Sequence, residues 1–218
     1  MEKEIKALRI FFTGVGGQGT LLATRLVGEA ALEEGQPVLM SEIHGMAQRG
    51  GVVESSAVLG SAASPIIADG EADVVIAFEP LEAARALPKC NPKTITITST
   101  NRIMPFTVAI GQSVYPDPDT LYRMIEPRVA ALIRVDADEL ASSAGAERSS
   151  NVVMIGVLAG TGILPLSKKS FERALRHVLP ERLIEANLRA LEAGYAFGSR
   201  AGRKLGRATI GSLTHTTV

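Results

Sequence analysis

Short apolar runs alternate along the chain with segments of helical period, the pattern of βα units around a mainly parallel sheet. Leu8–Thr13 reads as a buried first strand, and a helix from Thr20 to Glu33 follows, with Leu22, Leu26 and Ala30 on one stripe. Gly35 ends that helix and Pro37 opens a second strand, Val38–Met40. Ser41–Gly51 is polar and glycine-bearing and reads as a loop. Further strands are expected over Val52–Leu59, Asp73–Phe78, Thr94–Thr98, Val108–Val114 and Ala131–Val135, with short helices at Leu81–Leu87 and Asp119–Glu126.

The last third changes character. Asn151–Leu164 is almost wholly apolar and small and reads as a buried helix in which Gly156, Gly160 and Gly162 admit close neighbours. Ser167 caps a helix running to Val178, and Pro180 sits near the first turn of another, striped by Ile184, Leu188, Leu191 and Tyr195. Residues 1–197 are expected to form one α/β domain. From Gly198 onward the chain has basic residues and no acid, and 198–218 is expected to be a disordered tail.

Charge and composition narrow the chemistry. Lys+Arg and Asp+Glu both count 23, so no net field draws in nucleic acid or an anionic membrane. Aromatics are 4% and tryptophan is absent, which argues against base-stacking surfaces. Cys90 stands alone, so the chain can form no internal disulfide and cannot itself hold a four-cysteine iron–sulfur cluster. His44, His177 and His215 lack the spacing of a zinc site. Met1–Lys6 is too acidic for the basic region of a signal peptide, and no apolar run reaches the ~20 residues that span a bilayer, so a cytoplasmic location is expected.

Two loops carry candidate chemistry. Gly14, Gly16 and Gly19 form GxGxxG between a strand and a helix, where glycines permit a tight turn and the helix N-terminus offers free N–H groups to phosphate. One reading makes this a dinucleotide site of a free-standing NAD(P)-dependent dehydrogenase, with Glu42 on the ribose; the bland reading is a tight turn only. Ser41–Gly51 gathers Glu42, His44, Gln48 and Arg49 beside Gly50 and Gly51. Arg49 offers a planar fork to carboxylate or phosphate, unless it merely pairs with Glu42 or Glu54. After neighbouring parallel strands the two loops would share one rim of the sheet.

Four segments together are more specific than either loop: GVGGQG at 14–19, SEIHGMAQRGG at 41–51, AFEPLEAARALP at 77–88, and the Asn-led helix 151–158 before GILPL at 162–166. With them the chain resembles the gamma-type subunit of thiamine-diphosphate-dependent 2-oxoacid:ferredoxin oxidoreductases, and HGMAQRGG points to the indolepyruvate-type branch. The resemblance implies a three-layer Rossmann-like α/β fold with a helical C-terminal part. It also implies a complex that converts a 2-oxoacid to acyl-coenzyme A and CO2 while passing electrons to ferredoxin. Thiamine diphosphate, magnesium and 4Fe-4S clusters are expected on larger partner subunits, because Ala68-Asp69-Gly70 lacks the Gly-Asp-Gly opening of a thiamine motif. This chain would then hold no catalytic or metal-ligating residue of its own. Gly14, Gly16, Gly17, Gln18, Gly19, Glu42, His44, Gln48, Arg49, Gly50 and Gly51 would form a rim touching the partner, the substrate carboxylate or coenzyme A.

Overall fold

A computed structural model describes residues 7–44, 51–105, 108 and 110–214. β1 (Leu8–Val15) is central, and its alternate residues serve two cores: Leu8, Ile10 and Phe12 face one layer of helices and Phe11 the other. The sheet has six strands in the order β2-β3-β1-β4-β5-β6, with β2 (Val38–His44), β3 (Val52–Leu59), β4 (Val74–Ala77), β5 (Ile95–Ser99) and β6 (Ala131–Val135). β1–β4, β4–β5 and β5–β6 pair in parallel. β3 is antiparallel to both its neighbours and alone runs against the rest.

The main core is built from α1 (Thr20–Glu33), which spans the residues its apolar stripe predicts, together with the C-terminal helices. On the opposite face lie α2 (Pro80–Arg85) and α3 (Pro118–Ile125), so the α/β architecture has three layers of unequal thickness. α4 (Ala137–Ser143) follows β6; Asp136 caps it by accepting from the Glu139 N–H at 3.0 Å.

α5 (Ser150–Thr161) and α7 (Glu181–Thr214) pack at unusually short range, with α6 (Lys168–Val178) between them in sequence. A Cβ on Gly156 or Gly160 would stand 2.3 Å from the carbonyl oxygen of Leu191 or Tyr195. Conversely, one on Gly194, Gly198 or Gly202 would stand 2.1, 2.1 or 2.4 Å from the carbonyls of Val153, Val157 and Thr161. The four-residue spacing sets these glycines along one ridge of each helix, and the two ridges interlock backbone to backbone.

Four expectations need correction. Ser41–His44 is strand, because its polar residues lie on the outermost strand, where exposure is free of cost. The described residues of Val108–Val114 form no strand: Gly111 turns the chain at φ +76°. The connection after β2 does not lead to a parallel neighbour, since β3 returns between β2 and β1. Gly198 onward is not a disordered tail over its described length; α7 continues through it because Gly198 and Gly202 seat on α5, and the helix breaks only at Gly206 (φ 75°, ψ 156°). No helix among the described residues is long and apolar enough to cross a membrane.

Candidate functional site

The turn after β1 is braced by one side chain. Gln18 Oε1 accepts from the Val15 N–H at 2.7 Å, while its Nε2 donates to the Phe78 carbonyl at 2.7 Å, tying the turn to the end of β4. A Cβ on Gly14 would lie 2.9 Å from Gln18 Oε1 and 3.1 Å from Phe78 Cβ, so a larger residue here would push against the Gln18 brace. Gly19 sits at φ +78° as the N-cap of α1 and gives no side-chain cap, and Asn151 Nδ2 donates to its carbonyl at 3.3 Å. Gly17, at φ +107°, faces open space. The loop therefore presents an uncapped helix N-terminus on a stiff support.

The second loop meets the first through the backbone. The Gly16 N–H donates to the Gly51 carbonyl at 2.8 Å, just beyond the register pairs Val15 with Val52 and Gly14 with Val53. His44 pairs with Val53 at that same end of the sheet. Gln48, Arg49 and Gly50 lie outside the described residues, but His44 and Gly51, which bracket their segment, both stand at this rim.

Glu42 lies on the same strand, two residues before His44. It is exposed on β2 opposite Ser55, which pairs in turn with Phe12 in β1. Two strand spacings, about 9.6 Å, separate its backbone from β1. An acid holding the ribose of a dinucleotide must follow the strand beside the glycine loop, and here β3 occupies that place. The dehydrogenase reading fails on this topology.

Beside Gly17 and Gln18 opens a cleft of ≈ 210 Å³ whose lining includes Asn101, Arg102, Arg148 and Asn151. It collects the N-terminal ends of α1 and α5, two exposed guanidinium groups and the Asp138 carboxylate, which accepts from Ser150 Oγ, at the C-terminal edge of the sheet; two cations and two helix N-termini against one acid favour an anion. Sequence reasoning missed Arg102, Arg148 and Asn151. Arg102 follows β5, Arg148 follows α4 and Asn151 opens α5, and only the strand order brings them to the glycine turn. Asn151 had one signal, its place at the head of an otherwise apolar helix.

The AFEPLEAARALP segment is explained by a buried cap. Glu79 is 1% exposed; its Oε2 accepts from the N–H groups of Leu81 (2.7 Å) and Glu82 (3.1 Å), with Pro80 in the first turn. The Tyr115 hydroxyl donates to its other oxygen. Burial first, then this hydrogen bond to a carboxylate, pushes the Tyr115 phenol far above the usual tyrosine range. Glu82 is also buried, with Arg85 Nη1 2.6 Å from its Oε1, and desolvation raises its carboxyl above the ordinary value.

Asp69 is paired with Lys89 Nζ at 2.9 Å, and no group of three His, Cys, Asp or Glu side chains among the described residues is placed to hold a metal.

The model of one protein family, described as pyruvate ferredoxin/flavodoxin oxidoreductase, matches residues 9–197. The chain belongs to that family. It is 44% identical over 186 residues to the indolepyruvate oxidoreductase subunit IorB of Methanothermobacter thermautotrophicus, covering 85% of this chain and 95% of that protein. The corresponding subunit of Archaeoglobus fulgidus is 40% identical over 191 residues, covering 86% and 94%. The fold matches the crystal structure of a keto/oxoacid ferredoxin oxidoreductase gamma subunit from Geobacter sulfurreducens with TM-score 0.64 at 21% identity, over 88% of this chain and 99% of that one. The protein is thus a subunit of a 2-oxoacid:ferredoxin oxidoreductase, an oxidoreductase complex of several subunits. Complexes of this family typically use thiamine diphosphate and iron–sulfur clusters.

Proposed function

We propose that this chain is the small subunit of an indolepyruvate-type, aryl-pyruvate-oxidising complex, and that its rim holds the phosphate end of coenzyme A against the partner's active site. Thiamine diphosphate, magnesium and the 4Fe-4S clusters belong on the larger partner subunit, which decarboxylates the 2-oxoacid and delivers electrons to ferredoxin. The observation that carries this reading is the Gly16–Gly51 hydrogen bond, which joins both glycine loops beside the Arg102 and Arg148 cleft. Gln18 braces the turn before α1, whose N-cap Gly19 brings no side-chain cap, while the Arg102 and Arg148 guanidinium groups supply positive charge. A phosphate gains from both, because the N–H groups are fixed before it arrives and the arginines answer its charge.

The test uses the assembled complex with Arg102 and Arg148 both changed to Ala. The KM for coenzyme A should rise about tenfold or more, with the KM for the 2-oxoacid unchanged. An unchanged coenzyme A KM removes the cleft from this role.

A further inference from the structure

β6 closes the sheet at one end and, among the described residues, pairs with β5 alone. Leu132 and Ile133 are successive residues of that strand and so point to opposite faces. Both nevertheless line one groove of ≈ 320 Å³, together with Phe197, Ala201 and Leu205 of α7. A groove reached from both faces of a strand runs along its free edge. Its floor is apolar, and Arg200 and Lys204 complete its lining.

That edge is basic. No ion pair engages Arg200, Arg203 or Lys204 among the described residues; Arg200 lies 5.9 Å from the centre of the Phe197 ring. After Glu192 the sequence carries no further Asp or Glu, although Lys+Arg and Asp+Glu balance over the whole chain. On the other face of β6, Arg134 is exposed and stacks over Tyr122 at 4.9 Å. An open strand edge offers backbone donors and acceptors to another extended chain, and the cations around it select that chain by charge. A second copy of this protein would bring the same cations to the same edge and be repelled.

We propose that the free edge of β6 receives an extended, acidic segment of the partner subunit as a seventh strand. Alternate side chains of that segment fill the apolar groove and its carboxylates meet Arg200 and Lys204. This rests on the preceding reading only in requiring a partner subunit. It assigns that partner a second contact, distinct from the glycine-loop rim.

The experiment compares wild type with the double variant R200E/K204E, and with the milder R200Q/K204Q, in binding to the native partner subunit by calorimetry at low and high salt. Both variants alter exposed side chains, and circular dichroism verifies their folding. Charge reversal should weaken association about tenfold or more, and the glutamine pair by less. Salt should weaken wild-type binding, leave the glutamine pair almost unaffected and strengthen binding of the charge-reversed variant by screening its repulsion. Carbodiimide coupling of the wild-type complex should join Lys204 to an Asp or Glu of the partner. Wild-type affinity in the charge-reversed variant, or coupling of Lys204 only to a second copy of this chain, overturns the seventh strand. Failure of the wild-type chain to bind any thiamine-bearing subunit overturns the preceding reading instead.

Discussion

Gly198→Ala tests whether the close approach of α5 and α7 is what these glycines are for. In an unconstrained helix interior, alanine is favoured over glycine by about 1 kcal/mol. At Gly198 the new Cβ would sit 2.1 Å from the Val157 carbonyl oxygen and 2.9 Å from Val157 Cα and C, all backbone. Nothing there can rotate away, so the helices must separate, and a gap of 0.5–1 Å forfeits roughly a quarter to a half of each dispersion contact along the seam. Overpacking costs about 1–3 kcal/mol, and collision with rigid backbone takes the upper end. Subtracting the helix-propensity gain leaves a net loss of about 2 kcal/mol, or roughly 4–8 °C in Tm for a chain of this size. Gly28→Ala is the control: its Cβ meets Sδ and Cε of Met40, the far end of a flexible, exposed side chain that can swing aside. Propensity wins there, and stability should hold or rise by up to about 1 kcal/mol. Urea and thermal unfolding followed by circular dichroism read both variants. A Gly198→Ala protein as stable as wild type, or equal losses in the two variants, refutes the reasoning.

Tyr115→Phe removes a donor from the buried Glu79 carboxylate and should cost about 1–3 kcal/mol in urea unfolding. The Tyr115 phenol is raised in the folded state, so its contribution is complete below the ordinary tyrosine value near 10 and is lost as pH rises beyond it; the Phe variant should lack that part of the alkaline loss. Arg49→Ala should alter partner affinity, turnover or a KM of the assembled complex, and no change in all three removes the second loop from the rim. The purified single chain should be colourless, bind no thiamine diphosphate tightly and reduce no ferredoxin; visible cluster absorption from it would contradict the division of labour.

Local rules made much of the fold legible. Thr20–Glu33, Val52–Leu59 and Ala131–Val135 each form the helix or strand expected of them. Ser167 caps α6 as its residue type suggests, accepting from the Ser170 N–H at 3.3 Å. What escaped was set by partners distant in sequence. The composition of Val52–Leu59 suggests a strand but not that it inserts antiparallel beside β1, and that insertion is what separates Glu42 from β1. The basic segment after Gly198 looks unable to bury anything until Gly194, Gly198 and Gly202 are matched, four by four, with Gly156 and Gly160. The site divides in the same way: the glycine turn was readable from its strand and helix, whereas Arg102 and Arg148 reach it only through the order of strands.

Hydrogen–deuterium exchange, comparing the free chain with the assembled complex, tests the central claim most directly. Peptides covering Gly14–Gly19 and the start of β3 should gain strong protection on assembly, as two joined loops closing together on a partner require. Identical exchange of both peptides in the free and assembled states would contradict the account.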